Sequence, residues 1–373
     1  MVVSMKLLFV SGTTGGGSGR SQRELAKQLM LLGTEVTFIV DDKRRAPVRR
    51  WAYAHLSDLS VRLDGRMGAR LVTRARDVIG RRTHQRIIDG LEHLTSPVPQ
   101  NAAARYLATH PVDAVVANSV ERWAWRRLHS ISSTHGFPTI LYVREVDSLG
   151  HLNTGATPTV LIANAASLAE QLRGSGFDCA FLPSVIDTTV TSTSSTRRVA
   201  MAINPIPDKG SHLMWAMADL LPDVAFVVQE SWPLTGALEE SVLAQVAARP
   251  NVEFRRCQPP GPSLYEDTRV LLVPYQMDSR PRVILEAQAN GIPVIVGDVP
   301  SLREAIGEGG LIVDLDSPTA WAAAIRSLWE DEGQYRQLAT RARAHGERRE
   351  VDPEGLARTF LELAQQAVRP SQR

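Results

Sequence analysis

Between Val270 and Val296 the sequence alternates in a way that few folds can absorb. A short apolar run, Val270–Pro274, gives way to a polar break. The amphipathic stretch Arg282–Asn290 follows, closed by Gly291, and a second apolar run occupies Ile292–Gly297. Short continuous apolar runs read as strands buried on both faces. A glycine just past an amphipathic stretch reads as a helix stop. Strand, helix and strand in that order require a parallel sheet with a right-handed crossover.

The amino-terminal end repeats the pattern. Lys6–Val10 reads as a buried strand that breaks at the glycine-rich stretch Gly12–Gly19. Gln22–Leu32 reads as a helix with Leu25, Leu29 and Leu32 on one face, stopped by Gly33, and Glu35–Val40 as a second strand ending at Asp41. Further strands are expected at Ala114–Ala117, Thr139–Val143, Thr159–Ala163, Val199–Ile203, Ala225–Gln229 and Leu311–Val313, with helices between them. A chain of 373 residues is too long for one ordinary core. The polar, low-complexity stretch 187–197 reads as a linker. The expected organisation is therefore α/β, with two Rossmann-like doubly wound domains at 1–186 and 198–352 and a last amphipathic helix within 353–373.

Composition narrows the function. A net charge of +2 argues for no polyanionic partner by itself. Residues 43–86, read as irregular, hold 13 Lys/Arg against 3 Asp/Glu interleaved with Leu71 and Val72, a pattern that suits an anionic lipid surface, a phosphorylated acceptor or a solvated helical insertion. No nucleic-acid reader motif accompanies that charge, so nucleic acid is not expected as a partner. Cys179 and Cys257 stand far apart and form no metal-ligand spacing, and the histidines are scattered, so no metal is expected. No run of apolar residues is long enough to span a bilayer, and Met1 to Val10 runs straight into a strand without signal-peptide architecture. A cytoplasmic protein is expected, peripheral at the inner membrane face if 43–86 meets lipid.

Three stretches carry candidate chemistry. The glycine-rich turn, with Gly16 and Gly17, lets backbone N–H groups approach a phosphate. It also suits a mobile loop. With Asp41 it is similar to a dinucleotide fingerprint, although its spacing is not G-x-G-x-x-G. The second stretch is Ile203–Gly210, where a two-proline turn leads from a strand to Lys209 at the mouth of a helix. Lys209 is one of four lysines in the chain. There it can reach a diphosphate at the switch point of a sheet, or it is a plain helix-start residue. The third stretch places Asp278 and Glu286 with seven residues between them across a loop-to-helix junction. Pro281 suits the first helical position and Ser279 can cap just before it. The helix mouth then offers free N–H groups to an anion, with carboxylates placed to accept hydrogen bonds from sugar hydroxyls.

Lys209-Gly210, the Asp278-x7-Glu286 segment, Gly291-Ile-Pro-Val-Ile, the approach Val270-Leu-Leu-Val-Pro-Tyr275 and Gly309-Gly310-Leu-Ile-Val together resemble the retaining glycosyltransferase family 4, which has the GT-B fold. Tyr142-Val-Arg-Glu145, Ile162-Ala-Asn164 and the glycine-rich loop extend the resemblance, more weakly, to the amino-terminal half. It implies a nucleoside-diphosphate-sugar donor bound mainly by the carboxyl-terminal domain, and a sugar, lipid-linked or small-molecule acceptor on the amino-terminal one. It implies that the last helix returns to the amino-terminal domain. It further implies metal-independent transfer with retention, the leaving phosphate helping to deprotonate the acceptor. In that scheme Glu286 holds the ribose hydroxyls and Lys209 the diphosphate. Asp278, with the backbone of Ser279, Arg280, Pro281 and Arg282, holds the donor sugar. Gly16 and Gly17 approach the phosphates.

This sequence departs from the family pattern at Asp278, where Glu is common, and at Asn204, where a phosphate-binding Arg is frequent; Arg280 or Arg282 would compensate. Arg144 and Glu145 occupy the strand end where the family carries a sugar-facing His. Two other classes of function stay open: a binding or scaffold protein of this fold without turnover, and an NAD-linked oxidoreductase.

Overall fold

The computed structural model describes residues 5–13, 15–41, 47–62, 69–118, 122–144, 152, 155–277 and 279–368. The chain divides into two compact units. One holds Met1–Asn164, Ala169–Leu182 and Leu356–Arg373; the other holds Ala165–Leu168 and Pro183–Gly355.

The first unit is built on an eight-stranded sheet in the order β3-β4-β2-β1-β5-β6-β7-β8. Its strands are β1 (Lys6–Ser11), β2 (Glu35–Asp41), β3 (His84–Ile88), β4 (Leu91–Ser96), β5 (Ala114–Asn118), β6 (Thr139–Val143), β7 (Val160–Ala163) and β8 (Ala180–Phe181). Pairing is parallel except for the β3–β4 hairpin at the edge. Leu7, Leu8, Phe9 and Val10 of β1 are wholly buried, as are Val115 and Val116 of β5, so helices cover both faces.

The second unit has a six-stranded, all-parallel sheet in the order β11-β10-β9-β12-β13-β14. These strands are β9 (Val199–Ile203), β10 (Phe226–Gln229), β11 (Val252–Arg255), β12 (Thr268–Val273), β13 (Val294–Gly297) and β14 (Gly310–Val313). One apolar cluster covers each face. Leu213, Trp321, Ile325 and Tyr335 belong to the first; Tyr265, Ile284, Ile292 and Leu302 belong to the second.

Three expectations change. Residues 187–197 are not a free linker. Asn290 Nδ2 donates to the Thr191 carbonyl at 3.0 Å, Thr193 N donates to Asn290 Oδ1 at 2.7 Å, and Thr196 N donates to the Glu266 carbonyl at 2.7 Å. The stretch is docked on the second unit, and the passage between units falls at Leu182/Pro183. Ser195 Oγ also donates to the Thr268 carbonyl, a use that composition alone does not disclose. Second, the basic region is ordered as the helices Pro47–Arg62 and Ala69–Val78 followed by β3, with residues 42–46 and 63–68 outside the described residues. Third, the first helix starts at Gly16, six residues before the expected Gln22, so Gly16, Gly17 and Gly19 form its opening turn.

Candidate functional site

In an open parallel sheet, ligands bind outside the carboxyl ends of the strands where the strand order reverses. In the second unit that point lies between β9 and β12: β10 follows β9 on one side and β13 follows β12 on the other. The segments leaving those two strands are Asn204–Gly210 and Pro274–Pro281, which include the second and third candidate stretches.

After β9 the backbone turns at Asn204, a non-glycine residue with φ of +57°. Its buried side chain is spent on the fold: Nδ2 donates to Ser231 Oγ at 2.6 Å and Oδ1 accepts from Ser231 N at 2.8 Å. This two-way bond ties the end of β9 to the end of β10. Asn204 therefore stabilises the turn, a role that short amide side chains fill at left-handed positions. The next residue, Trp232, is thereby brought beside Lys209. Lys209 Nζ lies 4.8 Å from the Trp232 ring centre and 4.7 Å from that of Tyr275. Both distances fit cation–π contact. Tyr275 is buried, its hydroxyl donates to the Ile203 carbonyl at 3.3 Å, and burial pushes its phenol well above the usual range. Gly210 closes the turn with φ of +70°, its backbone pressed against the Pro274 carbonyl. The loop bearing Lys209 and the loop after β12 are thus in direct contact.

The helix Arg282–Ala289 leads away from that loop. Its amino-terminal cap is Pro281 in extended conformation, and no side chain caps it. Ser279 was expected to cap; instead its carbonyl accepts from Ser301 Oγ at 2.9 Å, Pro281 stands at the cap position rather than the first helical one, and the helix starts at Arg282 as its amphipathic stretch indicates. Glu286 is 1% exposed. Its Oε1 accepts from Arg282 Nε at 2.8 Å and its Oε2 from the Tyr265 hydroxyl at 2.9 Å. Arg280 pairs with Glu304 (3.3 Å), whose other oxygen accepts from Ala166 N at 2.7 Å. The two arginines offered as substitutes for an arginine at 204 therefore both sit on carboxylates. Asp278 lies outside the described residues, as does Glu145.

The first unit has its own polar cluster at the carboxyl ends of its strands. Gly16, with φ of +66°, and Gly17 open the helix after β1. Buried Asn118, at the end of β5, accepts on Oδ1 from Ser18 Oγ (3.3 Å) and from Arg144 Nε (3.1 Å). The Arg144 guanidinium also lies 4.7 Å from the Tyr142 ring centre.

Sequence reading missed Asn118, Tyr265, Ser231 and Trp232. The last two carried a usable signal, a polar–aromatic pair directly after a strand. The others are defined by tertiary partners far away in the chain. Among the described residues no group of three or more His, Cys, Asp and Glu side chains is placed to hold a metal ion.

Comparison with known proteins bears on the fold. The family described as Glycosyl transferases group 1 matches residues 213–331. The D-inositol 3-phosphate glycosyltransferase of Corynebacterium urealyticum is 33% identical over 169 residues, 42% of this chain and 39% of the relative. That of Thermobispora bispora is 33% identical over 121 residues, 30% of this chain and 28% of the relative. The matches thus span about two fifths or less of those relatives. Anabaena HepE in complex with UDP-glucose superposes with a TM-score of 0.69 at 15% identity, covering 96% of this chain and 98% of that one. Sucrose-phosphate synthase from Thermosynechococcus elongatus superposes with a TM-score of 0.75 at 14% identity, covering 97% and 98%. At such identities the superpositions speak for the fold. The chain thus has two parallel-sheet units of the GT-B fold, and residues 213–331 of the second are similar to the group 1 glycosyltransferases.

Proposed function

We propose that the chain transfers a sugar from a nucleoside-diphosphate sugar to an acceptor hydroxyl, with the donor held by the second unit at the carboxyl ends of β9 and β12. The observation that carries this reading is the placement of Lys209. Its ammonium rests on Tyr275, in the loop that runs from β12 to the uncapped helix mouth at Arg282. A cation and the positive end of a helix at one sheet switch point form a place for a diphosphate. Glu286, one turn into that helix, is the candidate partner for the ribose hydroxyls, and Asp278 with the 279–282 backbone for the sugar.

In this reading the C1–O bond to the phosphate breaks as the acceptor oxygen bonds C1 on the same face. The acceptor proton passes to the departing phosphate oxygen. Lys209 and the helix mouth balance the charge left on the diphosphate, the kind of fixed electrostatic assistance that lowers such barriers. Transfer is then expected to persist in the presence of a chelator. A sugar, lipid-linked or small-molecule hydroxyl is the acceptor, with Arg144, beside Asn118 and Ser18, as the candidate contact on the first unit.

The test is a thermal-shift panel of nucleoside diphosphates and NAD(H) on the parent and on Lys209→Ala. A ligand at about 100 times its Kd should stabilise by ~2.7 kcal/mol. One nucleoside diphosphate stabilising the parent and failing on Lys209→Ala supports the reading. A shift by NAD(H) alone would favour an oxidoreductase, and equal shifts in both proteins would remove Lys209 from the site. At Glu286 the suitable variant is Gln. Alanine would strand the buried Arg282 guanidinium and cost on the order of 3–5 kcal/mol whatever the ligand. Asn204, spent on Ser231, favours a second reading in which the donor binds without turnover. Release of labelled sugar to any acceptor refutes that reading.

A further inference from the structure

We propose that the helical pair Pro47–Arg62 and Ala69–Val78 is a docking surface for an anionic lipid bilayer. The two helices pack against each other in the first unit. Each turns an apolar stripe outward. On the first helix Val48, Trp51 and Leu59 recur at helical spacing and are 74%, 61% and 41% exposed. On the second, Leu71 and Val78 are 69% and 57% exposed. Isolated exposed apolar side chains need no explanation, but stripes of this kind on adjoining helices mark an interaction surface.

The charge around the stripes selects the occupant. Arg62 continues the first stripe, Arg74 sits between Leu71 and Val78 on the second, and Arg81 and Arg82 follow it, all exposed. Among the described side chains of 47–82 the acid is Asp77, and it is tied to Arg76 and to Arg127, each at 2.8 Å. Among the described side chains, the exposed positions of the two helices are therefore apolar and cationic without an exposed carboxylate. The exposed Trp51 indole lies against His55 in a tilted arrangement, with ring centres 3.9 Å apart. An aromatic and aliphatic face edged by arginine matches the boundary between headgroups and acyl chains of an anionic membrane. Among the described residues no helix is long and apolar enough to cross a membrane, so the contact in question lies along the surface.

The experiment is co-sedimentation of the full chain with vesicles of phosphatidylcholine alone and of phosphatidylcholine mixed with phosphatidylglycerol, at low and high salt. Binding to the anionic vesicles alone, released by high salt, is the expected result, because screening acts within a Debye length of ~10 Å at 0.1 M salt and ~3 Å at 1 M. Each arginine near an anionic surface contributes about fivefold, so the charge reversal Arg74→Glu should weaken partitioning roughly tenfold or more. Trp51→Ser should weaken it as well. Both positions are exposed, and unchanged melting and nucleoside-diphosphate binding in each variant shows that the fold and the second unit are intact. Failure to bind anionic vesicles at low salt overturns the proposal, as does equal binding to neutral ones. So does a Trp51→Ser variant that changes the oligomeric state while leaving vesicle binding untouched, which would assign the face to a second copy of the chain.

Discussion

At Gly210 the backbone has φ of +70°, and a Cβ built there would stand 1.9 Å from the Pro274 carbonyl oxygen. Side-chain-bearing residues disfavour the left-handed region by ~1–2 kcal/mol, and this clash is with backbone, which cannot swing aside. Gly33 is the natural control: its φ is +87°, yet a Cβ there meets nothing within 4 Å. Gly33→Ala should cost ~1 kcal/mol. Gly210→Ala should cost at least ~3 kcal/mol, because it adds displacement of the loop after β12 to the strain. Urea midpoints at unchanged slope would measure both. Equal losses would mean that the contact between the two loops does not govern the turn. Lys209 adjoins that glycine, so Gly210→Ala should also weaken nucleoside-diphosphate binding while Gly33→Ala leaves it alone.

Between elements, polar clamps set positions that apolar packing leaves loose. Glu230, buried after β10, accepts from Leu234 N at 2.6 Å and Cys257 N at 2.7 Å, which holds two loops at the carboxyl edge of the second sheet. Arg255, at the end of β11, donates to both oxygens of Asp267 at 3.0 and 2.7 Å, reaching the residue before β12 although β10 and β9 stand between those strands. That guanidinium holds the Asp267 carboxyl below its usual value of 3.8. In the unfolded chain the carboxyl titrates near its ordinary value. The clamp's stability is thus complete above that value and is lost as pH falls through the lower, folded one. Asp267→Asn should be less stable than the parent by ~2 kcal/mol at neutral pH. The gap should narrow once acid protonates the parent carboxyl. Urea midpoints from about pH 6 to about pH 3 test this, and a gap constant across that range would show that the charge is not what holds the clamp. These clamps also mark the limit of what the sequence discloses. The strands β6 and β9 coincide with their expected ranges because an unbroken apolar run has one use in a parallel sheet. Glu230, Asn204 and the Asp267 carboxylate look like ordinary surface residues until a distant partner is known. The Gly16 start was hidden for the opposite reason, since tertiary packing overrides the local preference of glycine. In the candidate site, Lys209 and Glu286 stand out by their spacing from strand and helix ends, whereas Tyr265 meets Glu286 through a contact that no local pattern records.

At the scale of the molecule, chain order and structural membership part company. The first unit is interrupted after Leu182 and resumes at Leu356, so its last element comes from the far end of the chain. The helix Pro353–Val368 buries Leu356, Ala357, Phe360, Ala364 and Ala367, a stripe at helical spacing. Phe360 is wholly buried, stacked on the Phe9 ring of β1 at 6.1 Å and tilted against the Tyr142 ring of β6 at 6.4 Å. A substitution near the carboxyl terminus should therefore loosen the amino-terminal sheet. Phe360→Ala removes a buried ring whose deletion typically costs ~3–5 kcal/mol, including the cavity left behind. Amide hydrogen exchange reads where that loss falls. Protection should drop in β1 and β6, with β9 and β12 of the second unit as the internal reference. Unchanged protection in β1 would mean that the aromatic contact is incidental and that the helix is held by its aliphatic residues alone. Loss confined to β1 and β6, with nucleoside-diphosphate binding retained, would show that the helix belongs energetically to the sheet on which the candidate acceptor residue Arg144 sits.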